Sequence, residues 1–510
     1  MSAVAAAIRG FAWFSIIYFV VLNSAYLAII TLAAGNAVVS RRRVSFAGLA
    51  EIFHSPLAPP ISVVVPVCNM EDLIVGSTRG LLSLRYPEFE VVVVDDGSTD
   101  STFARLEREF GLVEIDKVLR DELQTVGRVL SVHAPRDGSN LLVVRKVSMG
   151  RPADAVNTGV NAAQYPLICR IDADTYLDSD CLLTVAKPFI EDPDQVIAAG
   201  ATIRVANGCE IRAGRVIRPR VPGGWLLPIQ AAEYVRAFLL GRAGWSQIRS
   251  MLFISGAYAV YRRDIYELVG GFHLDTEGDD LELTTSIHHR LRDDRRPYRI
   301  AFVPEPCCWT VVPHRYRRLA QQRARWSQIL AEAIWVHRTM LFNPKYGAVG
   351  LVVLPFYLIF ELVSAVVEIL AMAAFVVGLA AGIIDPAVVL LFVAAGLGYG
   401  AFLTIVSVIT EELTYHRYRT WRDFALLVYA AIAENVGFRQ VCAWWRVRGI
   451  IDAMLRRKAK WLEEPGQRGQ EGPRLSMAAG ERQVPVPGPP ASELTSTGQP
   501  GGTPRRASAT

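Results

Sequence analysis

Residues 90–100 read EVVVVDDGSTD. A run of β-branched residues without polar alternation is a strand buried on both faces. The Asp-Gly pair that follows ends it in a turn. Residues 61–69, ISVVVPVCN, repeat the pattern, and so do 141–147 and 167–171. Helical patterns separate these runs, notably at 153–163. Such alternation predicts an α/β fold with right-handed crossovers and a mostly parallel sheet flanked by helices. Ligands in such folds bind beyond the carboxyl ends of the strands.

The residues at those ends are Pro66-Val67-Cys68-Asn69, Asp95-Asp96-Gly97-Ser98 and Asp172-Ala173-Asp174. Taken singly, each aspartate is an ordinary turn residue or helix cap. Together they would crowd carboxylates into one crevice, which a hard cation relieves. Mg2+ or Mn2+ fits, because either keeps waters and binds diphosphate oxygens. The sequence has no GxxxxGK[ST] loop, and its one GxGxxG-like stretch, near 396–400, lies in an apolar run. Both observations disfavour P-loop and dinucleotide folds.

Working outward, the chain has 510 residues, 51% hydrophobic and 20% charged, with mean hydropathy +0.26. That balance excludes a wholly disordered chain and suggests membrane segments joined to a polar globular part. A net charge of +5 is too mild to argue for a nucleic-acid partner. The seven cysteines have no CxxC or Cys/His spacing, so they read as reduced thiols. Residues 10–40 carry no charge and are followed by Arg41-Arg42-Arg43. The run is longer than a signal-peptide core of roughly 7–15 residues. It reads as a span whose C-terminal flank is cytoplasmic. In 346–384, Pro355 and Glu361 divide an entry segment from a second span. Asp385-Pro386 turns the chain into a third, to about Thr410. Residues 424–445 read as an interfacial amphipathic helix, and the chain from 463 reads as disordered. The expected organisation is 1–45 membrane anchor, 46–340 catalytic domain, 341–462 membrane region and 463–510 tail.

Seven motifs, in order, carry a family resemblance: VVVPVCN (63–69), VVVVDDGSTD (91–100), ADAVNTG (153–159), RIDADT (170–175), ISGAYAVYRR (254–263), EGDDLEL (277–283) and QRARW (322–326). The set resembles the membrane-integrated family 2 glycosyltransferases, which include the synthases of cellulose, chitin, hyaluronan and poly-N-acetylglucosamine. It covers about residues 60–340. The resemblance implies a GT-A-like fold and an inverting hexosyltransferase that uses a UDP-sugar and Mg2+ or Mn2+. It implies that Pro66, Asn69, Asp95 and Asp96 hold the nucleoside, and that Asp154 and Asn157 approach the nucleotide or sugar. Asp172 and Asp174 match the DxD and would hold the metal, Asp174 foremost, with Asp172 also on the donor side. Asp280 matches the catalytic base, with Asp279, Ser255 and Gly256 on the acceptor side. Gln322, Arg325 and Trp326 match QxxRW, with Trp326 shared between donor and acceptor. Relatives often carry a lysine in the GKADALNAG motif; here 150–159 read GRPADAVNTG, and Arg151 stands near its place.

The chemistry asks for these residue types. A carboxylate takes the proton of the attacking hydroxyl. A metal and an arginine stabilise the leaving diphosphate. The indole of Trp326 offers a face for a sugar ring. The expected activity is transfer of GlcNAc or glucose to a growing polysaccharide, processive and exported, from a multi-pass protein of the plasma membrane with its catalytic domain in the cytoplasm. A partner subunit or second copy would widen a narrow three-span bundle. The rival readings are single-sugar transfer to a membrane lipid and an inactive transport or scaffold subunit.

Overall fold

The computed structural model describes residues 3–43, 53, 58–274, 279–415, 418 and 420–455. All lie in one compact unit, Met1–Leu475. The tail reading of 463–510 falls outside the described residues.

Helix α1 (Ala3–Arg43) leads into the sheet domain. Strand β1 (Ile61–Val67) and helix α2 (Ile74–Leu82) are followed by β2 (Phe89–Asp96), α3 (Thr102–Phe110), β3 (Leu112–Glu114), β4 (Val129–Pro135) and β5 (Leu141–Lys146). Next come α4 (Pro152–Ala162), β6 (Leu167–Ile171), β7 (Thr175–Leu177), α5 (Cys181–Glu191) and β8 (Val196–Val205). A two-stranded ribbon, β9 (Glu210–Arg212) with β10 (Arg215–Arg218), precedes α6 (Leu226–Tyr234), a π-helical turn (Val235–Arg242) and α7 (Ala243–Gln247). Strand β11 (Tyr258–Arg262), α8 (Arg263–Leu268), α9 (Asp279–Asp293), β12 (Arg299–Thr310) and α10 (Tyr316–Val336) complete the domain.

The main sheet has ten strands in the order β3-β4-β5-β2-β1-β6-β11-β8-β12-β7. β4, β11 and β7 run against the others, so the sheet is mixed but mostly parallel. The β-branched runs are buried on both faces. Val64, Val92 and Val94 point into one core layer. Ile61, Val63, Val65, Val91 and Val93 point into the other. The register of β1 with β2 pairs Val67 with Asp95, and that of β2 with β5 pairs Asp96 with Lys146. The pairing therefore brings the acidic strand ends level along one edge.

Three helices are long and apolar enough to cross a membrane: Ala3–Ala33 of α1, α11 (Val349–Ala380) and α12 (Pro386–Tyr415). The structure departs from the sequence reading at α11, where Pro355 and Glu361 do not divide the helix. Pro355 opens a short α turn between the π-wound segments Val349–Val353 and Tyr357–Leu362, and the missing N–H is absorbed there. Asp385 does cap the turn into α12, its side chain accepting from the Ala387 N–H at 2.7 Å.

A second departure is the segment read as one interfacial helix. It is two helices, α13 (Trp421–Ala433) and α14 (Arg439–Met454), joined by a kink where Gly437 takes φ +86°. Its polar residues, which suggested a water interface, face inward. Glu434 accepts two hydrogen bonds from Arg236 at 2.6 and 2.8 Å. Arg439 lies 3.5 Å from Glu368 of α11 and 5.8 Å from the ring of Phe19 of α1. The kink thus sits against the middle of the apolar helices. Two further contacts lock sheet domain and helices together. Arg204 of β8 forms a buried ion pair with Glu411 of α12. Gly449 of α14 crosses α10 so closely that a Cβ there would stand 1.9 Å from the Ala324 carbonyl oxygen.

Candidate active site

The end of β1 is tied to the loop after β2 by Asn69. It takes a left-handed conformation (φ +53°), which asparagine tolerates. Its side-chain oxygen accepts from the Thr99 and Asp100 N–H groups at 2.8 and 3.3 Å. Pro66 is the last residue but one of the paired part of β1, opposite Val94. Asp95 is buried and accepts from the Ser98 N–H at 3.0 Å, with the Arg145 guanidinium at 3.8 Å. Asp96 accepts from the Ser148 hydroxyl at 3.1 Å through one oxygen. Its other oxygen, Oδ1, is buried without a hydrogen-bond donor and lies 3.8 Å from Lys146 Nζ. Burial pushes the Asp96 carboxyl above the ordinary carboxylate range, and Lys146 pulls it back.

Asp154 and Asn157 stand below this edge rather than facing it. Asp154 has no exposed side-chain surface. It accepts from the Val126 and Gly127 N–H groups at 2.7 and 3.0 Å and forms an ion pair with Lys146. Asn157 donates to the carbonyls of Gln124 and Phe272 at 3.1 and 3.0 Å. It accepts from the Phe272 N–H at 3.0 Å. Their polar atoms are spent on the frame. The cation beside Asp154 is thus Lys146, at the end of β5, while Arg151 donates to the Leu274 carbonyl at 2.9 Å. The sequence reading overlooked Lys146 because it lies outside the ADAVN stretch.

The DxD forms the turn from β6 to β7, closed by the Thr175 N–H donating to the Asp172 carbonyl at 3.0 Å. Asp172 is half-exposed and Asp174 partly exposed. Among the described residues no group of three His, Cys, Asp or Glu side chains is placed to hold a metal ion. A cation on this turn would take its remaining ligands from diphosphate and water, which suits two hard carboxylates and Mg2+ or Mn2+.

Asp280 opens α9. One carboxylate oxygen accepts from the Gly256 N–H at 2.7 Å, the other from the Leu281 N–H at 2.9 Å. Gly256 allows this approach. A Cβ there would lie 2.5 Å from the Arg170 guanidinium and 3.4 Å from Asp280. Arg170 in turn lies 3.6 Å from Asp172 and stacks on Phe272 at 5.0 Å. Ser255–Gly256, Asp280, Arg170 and Asp172 are therefore joined at one junction. Arg170, which the sequence reading missed, precedes the DxD by two positions. Asp279 begins the helix, but its side chain and residues 275–278 lie outside the described set.

Gln322, Arg325 and Trp326 lie on α10, whose far end meets α9 where His337 faces Glu282 at 3.7 Å. The Gln322 side-chain oxygen is buried without a hydrogen-bond donor. Trp326 is 40% exposed, enough for a ring to lie on it. The guanidinium of Arg323, another residue not anticipated, holds the indole from behind at 4.4 Å and pairs with Glu233 at 2.6 Å.

The family models match the same parts of the chain. "Glycosyl transferase family 2" covers residues 62–115 and "Glycosyl transferase family group 2" covers 167–403. The poly-β-1,6-N-acetyl-D-glucosamine synthase of Staphylococcus epidermidis is 25% identical over 268 residues, 52% of this chain and 54% of that one. The synthase of Staphylococcus aureus strain COL is 25% identical over 270 residues, with the same coverage. The chain spans about half the length of the curated relatives it matches. Among solved structures, a mannosyltransferase from Pyrobaculum calidifontis in complex with GDP-Man and Mn2+ covers 86% of this chain and 100% of its own, at 20% identity and TM-score 0.49. Residues 1–349 of S. aureus TarS cover 75% and 92%, at 18% identity and TM-score 0.33. At these scores the likeness is loose, and the fold assignment rests on the sheet order and the family models. The chain carries glycosyltransferase family 2 domains in a GT-A-like fold, and its three apolar helices fit membrane integration.

Proposed function

We propose that the protein is an inverting hexosyltransferase that moves a sugar from a UDP-sugar to a hydroxyl of a growing glycan at the cytoplasmic face of the plasma membrane. The observation that carries this reading is the anchored carboxylate of Asp280, one hydrogen bond (2.7 Å) from Gly256 and joined through Arg170 to the DxD. The acceptor oxygen bonds to the anomeric carbon from the face opposite UDP, and its proton passes to Asp280. The bond from that carbon to the diphosphate oxygen breaks, and its electron pair leaves with UDP. Asp96 Oδ1, with Asp95, Pro66 and Asn69 around it, receives the nucleoside. Asp172 and Asp174 hold the divalent cation, which when bound supplies charge to stabilise the leaving diphosphate. Gln322, Arg325 and Trp326 line the sugar and diphosphate side, and Ser255, Gly256 and Asp279 the acceptor side. The homology to poly-GlcNAc synthases supports UDP-GlcNAc before UDP-glucose. Arg41–Arg43 and the arginines of 446–457 support a cytoplasmic domain.

One observation bears on the acceptor. A cavity among the apolar helices, lined by Phe19, Glu368, Phe392 and Arg439, has a volume of about 140 Å3. That space is narrow for a passing sugar chain. It supports either export with a partner subunit or second copy, or single transfer to a membrane lipid. Incubation with radiolabelled UDP-GlcNAc and UDP-glucose separates the two. Product length rising with time supports a polysaccharide synthase, and one glycolipid of fixed size refutes it. Chelation with EDTA should abolish turnover, and added Mn2+ or Mg2+ should restore it.

A further inference from the structure

A cavity of about 380 Å3 opens where the loop between β10 and α6 meets the start of α13. It shares no residue with the candidate active site. Arg220 and Gly223 line it from one loop, Thr420 and Arg422 from the other, with Gly208 and Asp423 between them. Its volume falls in the range of small-ligand sites, about 300–1,000 Å3. The two walls are tied together. Asp423 is buried, and its carboxylate accepts from the Val221 N–H at 3.0 Å and from the Thr420 hydroxyl at 2.6 Å. That negative charge is spent on the frame. The positive charge is not. Arg220 and Arg422 are exposed, and among the described residues neither guanidinium is paired with a carboxylate. The cavity is therefore built for an anion.

Its place in the fold says which anion reaches it. The apolar helix α12 ends at Tyr415, and Thr420 follows shortly after that end. The other end of α13 meets the kink that sits against the middle of the apolar helices. Helix α13 therefore starts at the surface of the apolar layer and runs into it. Each wall sets an exposed tryptophan near its arginine. Trp225, 56% exposed, follows Gly223-Gly224, and Trp421, 79% exposed, precedes Arg422. Indoles at that level sit among lipid headgroups, and guanidiniums match phosphate with paired donors.

We propose that this cavity binds the phosphate headgroup of an anionic phospholipid, with Arg220 and Arg422 holding the phosphate from opposite walls and Trp225 and Trp421 seated in the headgroup layer. The inference goes beyond the transferase reading and needs only membrane integration. A soluble phosphate shares the arginine chemistry, but it has no use for two exposed indoles beside the end of an apolar helix. Gly223 gives the site room. A Cβ added there meets nothing within 4 Å, so a larger side chain has space to enter.

The test titrates the full chain, purified in a non-ionic detergent, with equimolar phosphatidylglycerol and phosphatidylcholine, and reads the retained lipid by native mass spectrometry. The wild type should prefer phosphatidylglycerol by about tenfold or more. Arg220→Gln and Arg422→Gln should each weaken its retention by about tenfold. Arg218→Gln removes an exposed arginine of β10 that does not line the cavity. It should change retention by less than about twofold. Gly223→Phe keeps every charge and narrows the cavity, and it should weaken retention by about tenfold or more. Inorganic phosphate and glycerol 3-phosphate, added as competitors at the concentration of the lipid, should displace nothing. Equal losses in the three arginine variants, or phosphatidylcholine retained as well as phosphatidylglycerol, would reduce the site to solvated surface charge and overturn the proposal. A folded Gly223→Phe that binds like the wild type would overturn it too. Displacement by either soluble phosphate would overturn the assignment to lipid. Melting curves in the same detergent show which variants are folded, and if Gly223→Phe is not, the arginine set decides alone.

Discussion

Lys146→Met tests whether the ADAVN acid, Asp154, is part of the frame or part of the nucleotide site. Lys146 and Asp154 have no exposed side-chain surface and form an ion pair. Methionine keeps most of the length and removes the charge. Asp154 would keep the Val126 and Gly127 N–H donors at 2.7 and 3.0 Å but lose its counter-ion. Breaking a buried pair from one side costs about 3–5 kcal/mol. That is a large share of a stability of about 5–15 kcal/mol. At about 2–4 °C per kcal/mol, the melting temperature should drop by about 6–20 °C. The double variant Lys146→Met/Asp154→Asn removes both charges together and leaves one backbone donor short, a cost of about 1–3 kcal/mol. The two changes should therefore be strongly non-additive. The assay is thermal unfolding of the purified full chain in nanodiscs, followed by tryptophan fluorescence. A Lys146→Met variant melting within about 2 °C of wild type would refute the reasoning, since the pair would then be worth less than about 1 kcal/mol.

Three further outcomes are expected. Asp280→Asn should lower transfer by about 10²–10⁴-fold while UDP affinity, read by calorimetry, stays unchanged. His288 is buried on α9, hydrogen-bonded to the Tyr298 hydroxyl at 2.5 Å and the Met251 carbonyl at 2.8 Å, and burial holds it down to about 4. Its folded form resists protonation, so the stability it contributes is present above the ordinary histidine range and lost as pH falls toward about 4. That loss is on the order of 3 kcal/mol, and a His288→Gln variant should show a flatter decline in acid unfolding curves. Gly449→Val should push α14 off α10, because the first added carbon already meets the Ala324 carbonyl at 1.9 Å. A cost of about 1–3 kcal/mol is expected in the same melting assay, with loss of transfer.

The strands were legible because burial on both faces leaves an unbroken β-branched run. Strands 61–67 and 167–171 appear in the structure with those limits. The acids after them were legible too, because a parallel sheet brings its strand ends to one edge. What the sequence hid depends on contacts between distant segments. Lys146 sits eight residues before its partner and on another element. Arg170 gains meaning only once Gly256 brings Asp280 beside the DxD. Polar residues 434–440 looked like a water-facing stripe because periodicity cannot distinguish a solvated face from one paired inward with Arg236 and Glu368. Pro355 looked like a break because a π-wound turn that absorbs it leaves no mark in composition.

The crossing of Gly449 over Ala324 has a mechanical consequence. No side chain lies between the two backbones there, so nothing soft can absorb a shift of α10. Helix α14 spans 16 residues. At about 1.5 Å per residue it is a rod of about 24 Å. One end is clamped beside the QRARW helix, and Arg439 at the other touches Phe19 and Glu368. A tilt of the helix that bears Trp326 is thus delivered, like the stroke of a lever, to the middle of the apolar bundle.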